Sequence, residues 1–142
     1  MTDVKITACL SAVMGLGLLA LPAWADGYPA VPLFTGGTTV MDEQIAYPAT
    51  GAAQVTAMMV TIGPGEETEL HTHGVPLFIH VLEGDVTVDY QGRGQRTYKQ
   101  GESFLEAMNV PHRGLNPGSA PVKLLAVYIG AAGSENVVKV PQ

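Results

Sequence analysis

The sequence predicts an all-β domain built as an antiparallel sandwich or jelly roll, and three observations support this. Turn signals recur at roughly the 8–12-residue spacing of such folds. Val86, Val88 and Tyr90 alternate with Thr87 and Asp89, the period-two pattern of a half-buried strand. No segment holds a sustained helical period, and the chain carries no internal repeat or low-complexity tract. With 142 residues and 46% hydrophobic content, it has enough apolar surface to close a single core.

Residues 1–25 read as a secretory signal peptide. Met1 to Lys5 carries one lysine, Ile6 to Leu21 is uncharged, Pro22 breaks the run, and Ala23-Trp24-Ala25 is a small-x-small cleavage site. The apolar run is about 16 residues long and contains Gly15 and Gly17, short of the ~20 residues needed to span a bilayer. Ile6-Thr7-Ala8-Cys9 imitates a lipoprotein box but precedes most of that run, so lipidation is not expected. Cleavage before Asp26 sends residues 26–142 to the periplasm or beyond the cell as one domain. The mature chain then keeps no cysteine, hence no disulfide, thiolate ligand or thiol nucleophile.

From Asp26 to Thr39 the chain is rich in proline, glycine and threonine and is expected to be an extended arm. Met41 to Ile45 is expected as a short strand and Pro48 to Ala52 as a turn. Gln54 to Ile62 is mostly apolar and suits a strand buried on both sides. Gly63-Pro64-Gly65 turns the chain into a strand bearing His71 and His73, and Gly74-Val75-Pro76 turns it into Leu77 to Leu82. Glu83-Gly84-Asp85 precedes the alternating strand. Gln91-Gly92-Arg93-Gly94 makes a hairpin into Gln95 to Lys99, and Gln100-Gly101-Glu102 is the next turn. Phe104 to Glu106, Pro111 to Leu115 and Val122 to Ile129 complete the strands. Residues 131–142 form a tail that either packs on the barrel or stays unstructured.

The formal charge is −6, and loss of the leader leaves it unchanged because Asp3 and Lys5 depart together. No basic cluster is present, so neither nucleic acid nor an anionic membrane surface is a suitable partner for the mature chain. A small molecule is the expected ligand.

His71 and His73 stand two apart, so an extended backbone puts both imidazoles on one face, which is how a strand offers a metal two ligands. The same spacing also occurs on ordinary solvated strands, and the pair alone does not decide. Further on the chain reads Gly101-Glu-Ser-Phe-Leu-Glu-Ala-Met-Asn-Val-Pro-His112-Arg-Gly-Leu-Asn116. Together the two stretches resemble the cupin superfamily, with motifs G-x5-H-x-H-x(3,4)-E-x6-G and G-x5-P-x-G-x2-H-x3-N. Gly65, His71, His73 and Gly84 match the first motif, and Gly101, His112 and Asn116 match the second. Three positions depart from the pattern. Leu77 stands at the glutamate, Ala107 at the proline and Asn109 at the second motif's inner glycine.

The resemblance implies a cupin β-barrel with His71, His73 and His112 as ligands of a divalent metal, and a homodimer whose arms pack on the neighbouring subunit. Three-histidine cupins that cleave diketones or oxidise thiols are the enzymatic precedent. Without a carboxylate at Leu77 the ion's two charges are uncompensated, so the site should favour an anionic or chelating ligand. Iron, manganese, nickel, copper and zinc are all open, with copper and zinc favoured if the metal is acquired outside the cytoplasm.

Glu106 either ligates the metal or hydrogen-bonds near it, with a surface or turn-capping carboxylate as the plainer reading. His80 has the opposite parity to Leu77 and is expected to be structural. Glu66, Glu67 and Glu69 are expected as a solvated acidic rim, and Met58, Met59 and Met108 as core filler. Asn116 is expected to support local backbone. Phe78, Phe104 and Tyr128 suit either the cavity wall or ordinary core packing. Two functions fit: a periplasmic dioxygenase-like oxidoreductase acting on a small anionic or chelating substrate, or a non-enzymatic protein that captures a metal or small ligand.

Overall fold

The computed structural model describes residues 29–141, so the expected signal peptide, its cleavage site and the start of the arm lie outside the described residues. The described residues form nine strands in chain order: β1 (Ala53–Ile62), β2 (His71–Thr72), β3 (Leu77–Glu83), β4 (Val86–Tyr90), β5 (Gly94–Tyr98), β6 (Ser103–Leu105), β7 (His112–Leu115), β8 (Val122–Ala131) and β9 (Val138–Lys139). They form two antiparallel sheets, one ordered β1-β8-β3-β6 and the other β5-β4-β7-β2-β9. Fold class and architecture are as the turn spacing predicts.

Alternation decides what faces the interior. Leu77, Ile79 and Val81 of β3 are buried while Phe78 and His80 between them are half-buried. Val86, Val88 and Tyr90 of β4 are buried, as are Val122, Leu124, Ala126 and Tyr128 of β8. Each fully buried aliphatic side chain contributes about 1.5–3 kcal/mol relative to an exposed one. The turn between β3 and β4 requires its glycine. Gly84 has φ 73°, and an added Cβ would lie 3.1 Å from Val122 Cγ2.

Three expectations need correction. Among the described residues β1 is an edge strand that pairs only with β8, and Val55 and Met59 on one face are 65% and 62% exposed. Met58 is 49% exposed, so neither Met58 nor Met59 fills the core, while Met108 is half-buried. An apolar run reports a strand's character but not its place in the sheet, and among the described residues nothing covers the Val55 and Met59 face of β1. Residues 41–45 form a turn, closed by the Thr38↔Gln44 bridge with Asp42 at φ 61°, because the Thr39 hydroxyl accepts from the amides of Met41 and Glu43. Of the two states open to the tail, packing on the barrel is the one found, since β9 pairs with β2 through His71↔Lys139 and Thr72↔Val138. That two-residue strand carries too little pattern to stand out from a tail.

Candidate metal centre

β2 and β7 are neighbours in the five-stranded sheet, and their register places His71 opposite His112. His73 follows β2 with the same parity as His71. The three imidazoles therefore meet, their ring centroids 4.6–5.0 Å apart and their candidate ligand atoms within 4.8 Å of one another. His73 and His112 are buried and His71 is half-buried.

Each ring is oriented by a backbone carbonyl. His71 Nδ1 donates to Glu69 O at 2.7 Å, His73 Nδ1 to Asn136 O at 3.0 Å, and His112 Nδ1 to Val110 O at 2.9 Å. A carbonyl can only accept, so each Nδ1 carries the proton and each neutral ring leaves Nε2 bare. The Nε2 atoms of His73 and His112 are 3.2 Å apart, two lone pairs that need a cation or a shared proton between them. Burial opposes the proton. It pushes the pKa of His73 down to about 3 and lowers those of His71 and His112, with carbonyl contacts and neighbouring charges as lesser influences. Neutral imidazoles with free, converging Nε2 atoms are what a divalent metal requires, and the residues fit one.

Glu106 is buried at 5% exposure, so it is not a surface carboxylate. Its Oε1 accepts from Tyr90 Oη at 2.7 Å and from the Ala107 amide at 2.8 Å, and its Oε2 lies 4.0 Å from His112 Nε2. Burial outweighs these bonds and pushes its pKa up to about 7. His80 points away from this group and bonds Ser103 Oγ at 2.8 Å.

The histidines open on a cavity of about 280 Å³. Leu77, Ile79, Phe104, Leu124 and Tyr128 are among its wall residues, whereas Phe78 packs on Phe34 instead. Glu69 and Lys139 border the same cavity and form an ion pair at 2.6 Å, both side chains well exposed. Glu67 and Glu66 are also exposed, and Glu67 pairs with Arg113. Asn116, 2% exposed, donates to Ile62 O and Ala120 O and accepts from the Gly118 amide, the supporting role expected of it.

Residues 58–128, half of the chain, match the cupin domain family. This chain is a cupin. A 3-hydroxyanthranilate 3,4-dioxygenase from Meyerozyma guilliermondii is 36% identical over 58 residues, covering 39% of this chain and 34% of that one. The cupin thus spans about a third of that relative's length. Solved structures share the fold. The polyketide cyclase RemF from Streptomyces resistomycificus aligns with TM-score 0.50 and 23% identity, over 66% of this chain and 64% of its own. The Lactobacillus farciminis oxalate decarboxylase formate complex aligns at 0.52 and 20%, over 61% and 26%. A cupin 2 conserved barrel domain protein from Salinispora arenicola aligns at 0.51 and 19%, over 62% and 72%.

This cupin meets its departures from the motif by identifiable means. Leu77 lines the cavity where the usual carboxylate would stand, and its carbonyl accepts from the Glu106 amide, which places a second carboxylate beside the vacated position. Asn109 and Ala107 replace turn residues, and the loop they form is held instead by Glu43. That carboxylate accepts from the amides of Met108 at 2.7 Å and Asn109 at 2.8 Å, and from Asn109 Nδ2 at 3.0 Å. Burial raises the pKa of Glu43, but these bonds outweigh it and hold the group below the ordinary carboxylate range. Sequence reasoning missed Glu43, which lies 65 residues from its partner loop, and no local pattern marks it. It also missed the Asn136 carbonyl, because a backbone atom leaves no trace in residue identity.

Proposed function

We propose that this cupin is a periplasmic metal-dependent oxidoreductase of the dioxygenase type, acting on a small anionic or chelating substrate at a centre held by His71, His73 and His112. The carrying observation is the set of three neutral imidazoles, each with Nδ1 committed to a carbonyl and Nε2 free to converge. The relative named as a dioxygenase supports the reaction class. A divalent ion, with iron, manganese, nickel, copper and zinc all candidates, supplies Lewis-acid polarisation of a coordinated oxygen when bound. The chain's own residues supply the rest. Leu77 and the aliphatic walls exclude water and contribute no charge, so an anionic ligand is favoured beside the ion. Glu106 offers an oxygen near His112 that can accept a proton or orient a ligand.

The proposed assembly is a homodimer, supported by the exposed face of β1, where Val55 and Met59 are uncovered. The proposed location rests on residues 1–25.

Elemental analysis of the protein from periplasm, beside a His71→Ala, His112→Ala double variant, tests the reading. Near-stoichiometric iron, manganese or nickel in the wild type and none in the variant is the expected result, and metal in neither, after attempted reconstitution, overturns it. The depth of His73 and His112, 4% and 2% exposed, favours a second reading as a capture protein. Copper or zinc that resists chelators, with no turnover of any chelating substrate, would select that reading.

A further inference from the structure

Two buried tyrosines near the histidines differ in what their hydroxyls do. Tyr90, 0% exposed, donates to Glu106 and lies 3.1 Å from the Tyr98 hydroxyl, so its oxygen is committed. Tyr128, 6% exposed, has no hydrogen-bond partner for its hydroxyl among the described residues. Buried tyrosines ordinarily find one. The Tyr128 oxygen is not sealed in either, since Arg113 Nε is the one unpartnered polar side-chain atom among the described residues that has no accessible surface. The hydroxyl thus opens on solvent-sized space, and the space its residue borders is the histidine cavity.

Its position adds a second observation. Tyr128 lies on β8 directly opposite Leu77 of β3, and its ring is 5.8 Å from that of His73. A polar donor thus flanks the position at which the chain has given up a carboxylate. Resting on the metal-centre reading above, we infer that the Tyr128 hydroxyl is a substrate-positioning donor to an oxygen of the bound ligand, selecting ligands with two adjacent oxygens on a single ring. One oxygen meets the metal and its neighbour, bearing partial negative charge, accepts from Tyr128. The cavity size fits, because an apolar cavity of about 150 Å³ already takes benzene, and this one is about 280 Å³.

The test titrates 4-nitrocatechol into zinc-loaded wild type and a zinc-loaded Tyr128→Phe variant, following the visible band of the ionised ring, with zinc content and Tm measured on both. Phenylalanine keeps the ring and removes only the donor. The expected result is equal zinc and Tm, with nitrocatechol binding about tenfold weaker in the variant, the scale of one hydrogen bond to a charged acceptor. As a check on ligand geometry, 4-nitrophenol, which has a single ring oxygen, should lose less than threefold. Equal nitrocatechol affinity in two zinc-loaded proteins overturns this inference and leaves the metal centre standing. Failure of the wild type to take up zinc or any other divalent metal overturns the metal centre and this inference with it.

Discussion

The five-stranded and four-stranded sheets face the same cavity, and only the five-stranded one carries the histidines. The five-stranded sheet brings His71 on β2 and His112 on β7 together across one register, and lends the β9 segment, whose preceding loop orients His73. From the four-stranded sheet come Leu77 and Ile79 on β3, Phe104 on β6 and Leu124, Ala126 and Tyr128 on β8. The histidines are thus confined to one wall, beside Val86 and Val88 of β4, and the other wall is apolar except for Glu106 just after β6 and Tyr128 on β8. Such a division fixes a ligand's polar end by specific atoms and its body by shape.

Truncating one residue on each wall should give the largest difference between them. His112→Ala removes one of three converging nitrogens and should weaken metal binding more than ~100-fold, beyond what loss of a supporting contact costs. Leu124→Ala on the opposite wall should keep the metal and cost about 2–4 kcal/mol of stability through the cavity it leaves. Metal titration and denaturant unfolding of both variants check this. If Leu124→Ala lost its metal while remaining folded, the division of labour would be wrong.

Leu77→Glu changes the charge of the apolar wall. A carboxylate there adds negative charge to the apolar wall, so metal affinity should rise about tenfold and affinity for an anionic chelator such as 4-nitrocatechol should fall by a similar factor. Unchanged anion affinity would show that Leu77 does not set the charge preference.

Glu106→Gln acts through stability. Burial raises the folded pKa of Glu106 to about 7 from an ordinary value of 4.5, so its favourable contribution is full below 4.5 and lost as pH rises through 7. Glutamine does not titrate. In the metal-free protein, the variant's stability relative to wild type should therefore improve between those two values by an amount on the order of 3 kcal/mol. Unfolding curves at pH 4.5 and 8 measure it, and a pH-independent difference would mean that Glu106 is not buried as described.

The histidine wall was far more legible than the apolar one. Spacing within a strand and the cupin motif both act locally, so His71, His73 and His112 could be read by counting, as could the alternation of β4. Edge position could not be read. Val55, Met58 and Met59 look like core residues until the sheet order leaves β1 with one neighbour. Glu106 was ambiguous because burial depends on what Tyr90 and the Ala107 amide offer it, and neither contact follows from its own neighbourhood.

Glu43 helps hold the histidine wall in place, and its substitution should have the smallest effect on metal binding. Its carboxylate is the shared acceptor for the Thr39 hydroxyl, two backbone amides and the Asn109 side chain, so it ties the 39–43 turn to the loop before His112. Glu43→Gln turns one acceptor oxygen into an NH₂ facing donors, which should cost about 1–2 kcal/mol. His112 is still oriented by the Val110 carbonyl, and that carbonyl belongs to the same loop. Loosening the loop should therefore weaken metal binding only a few-fold, with stoichiometry intact. A Glu43→Gln variant that lost stability but bound metal as tightly as wild type would show the loop to be set by β7 alone.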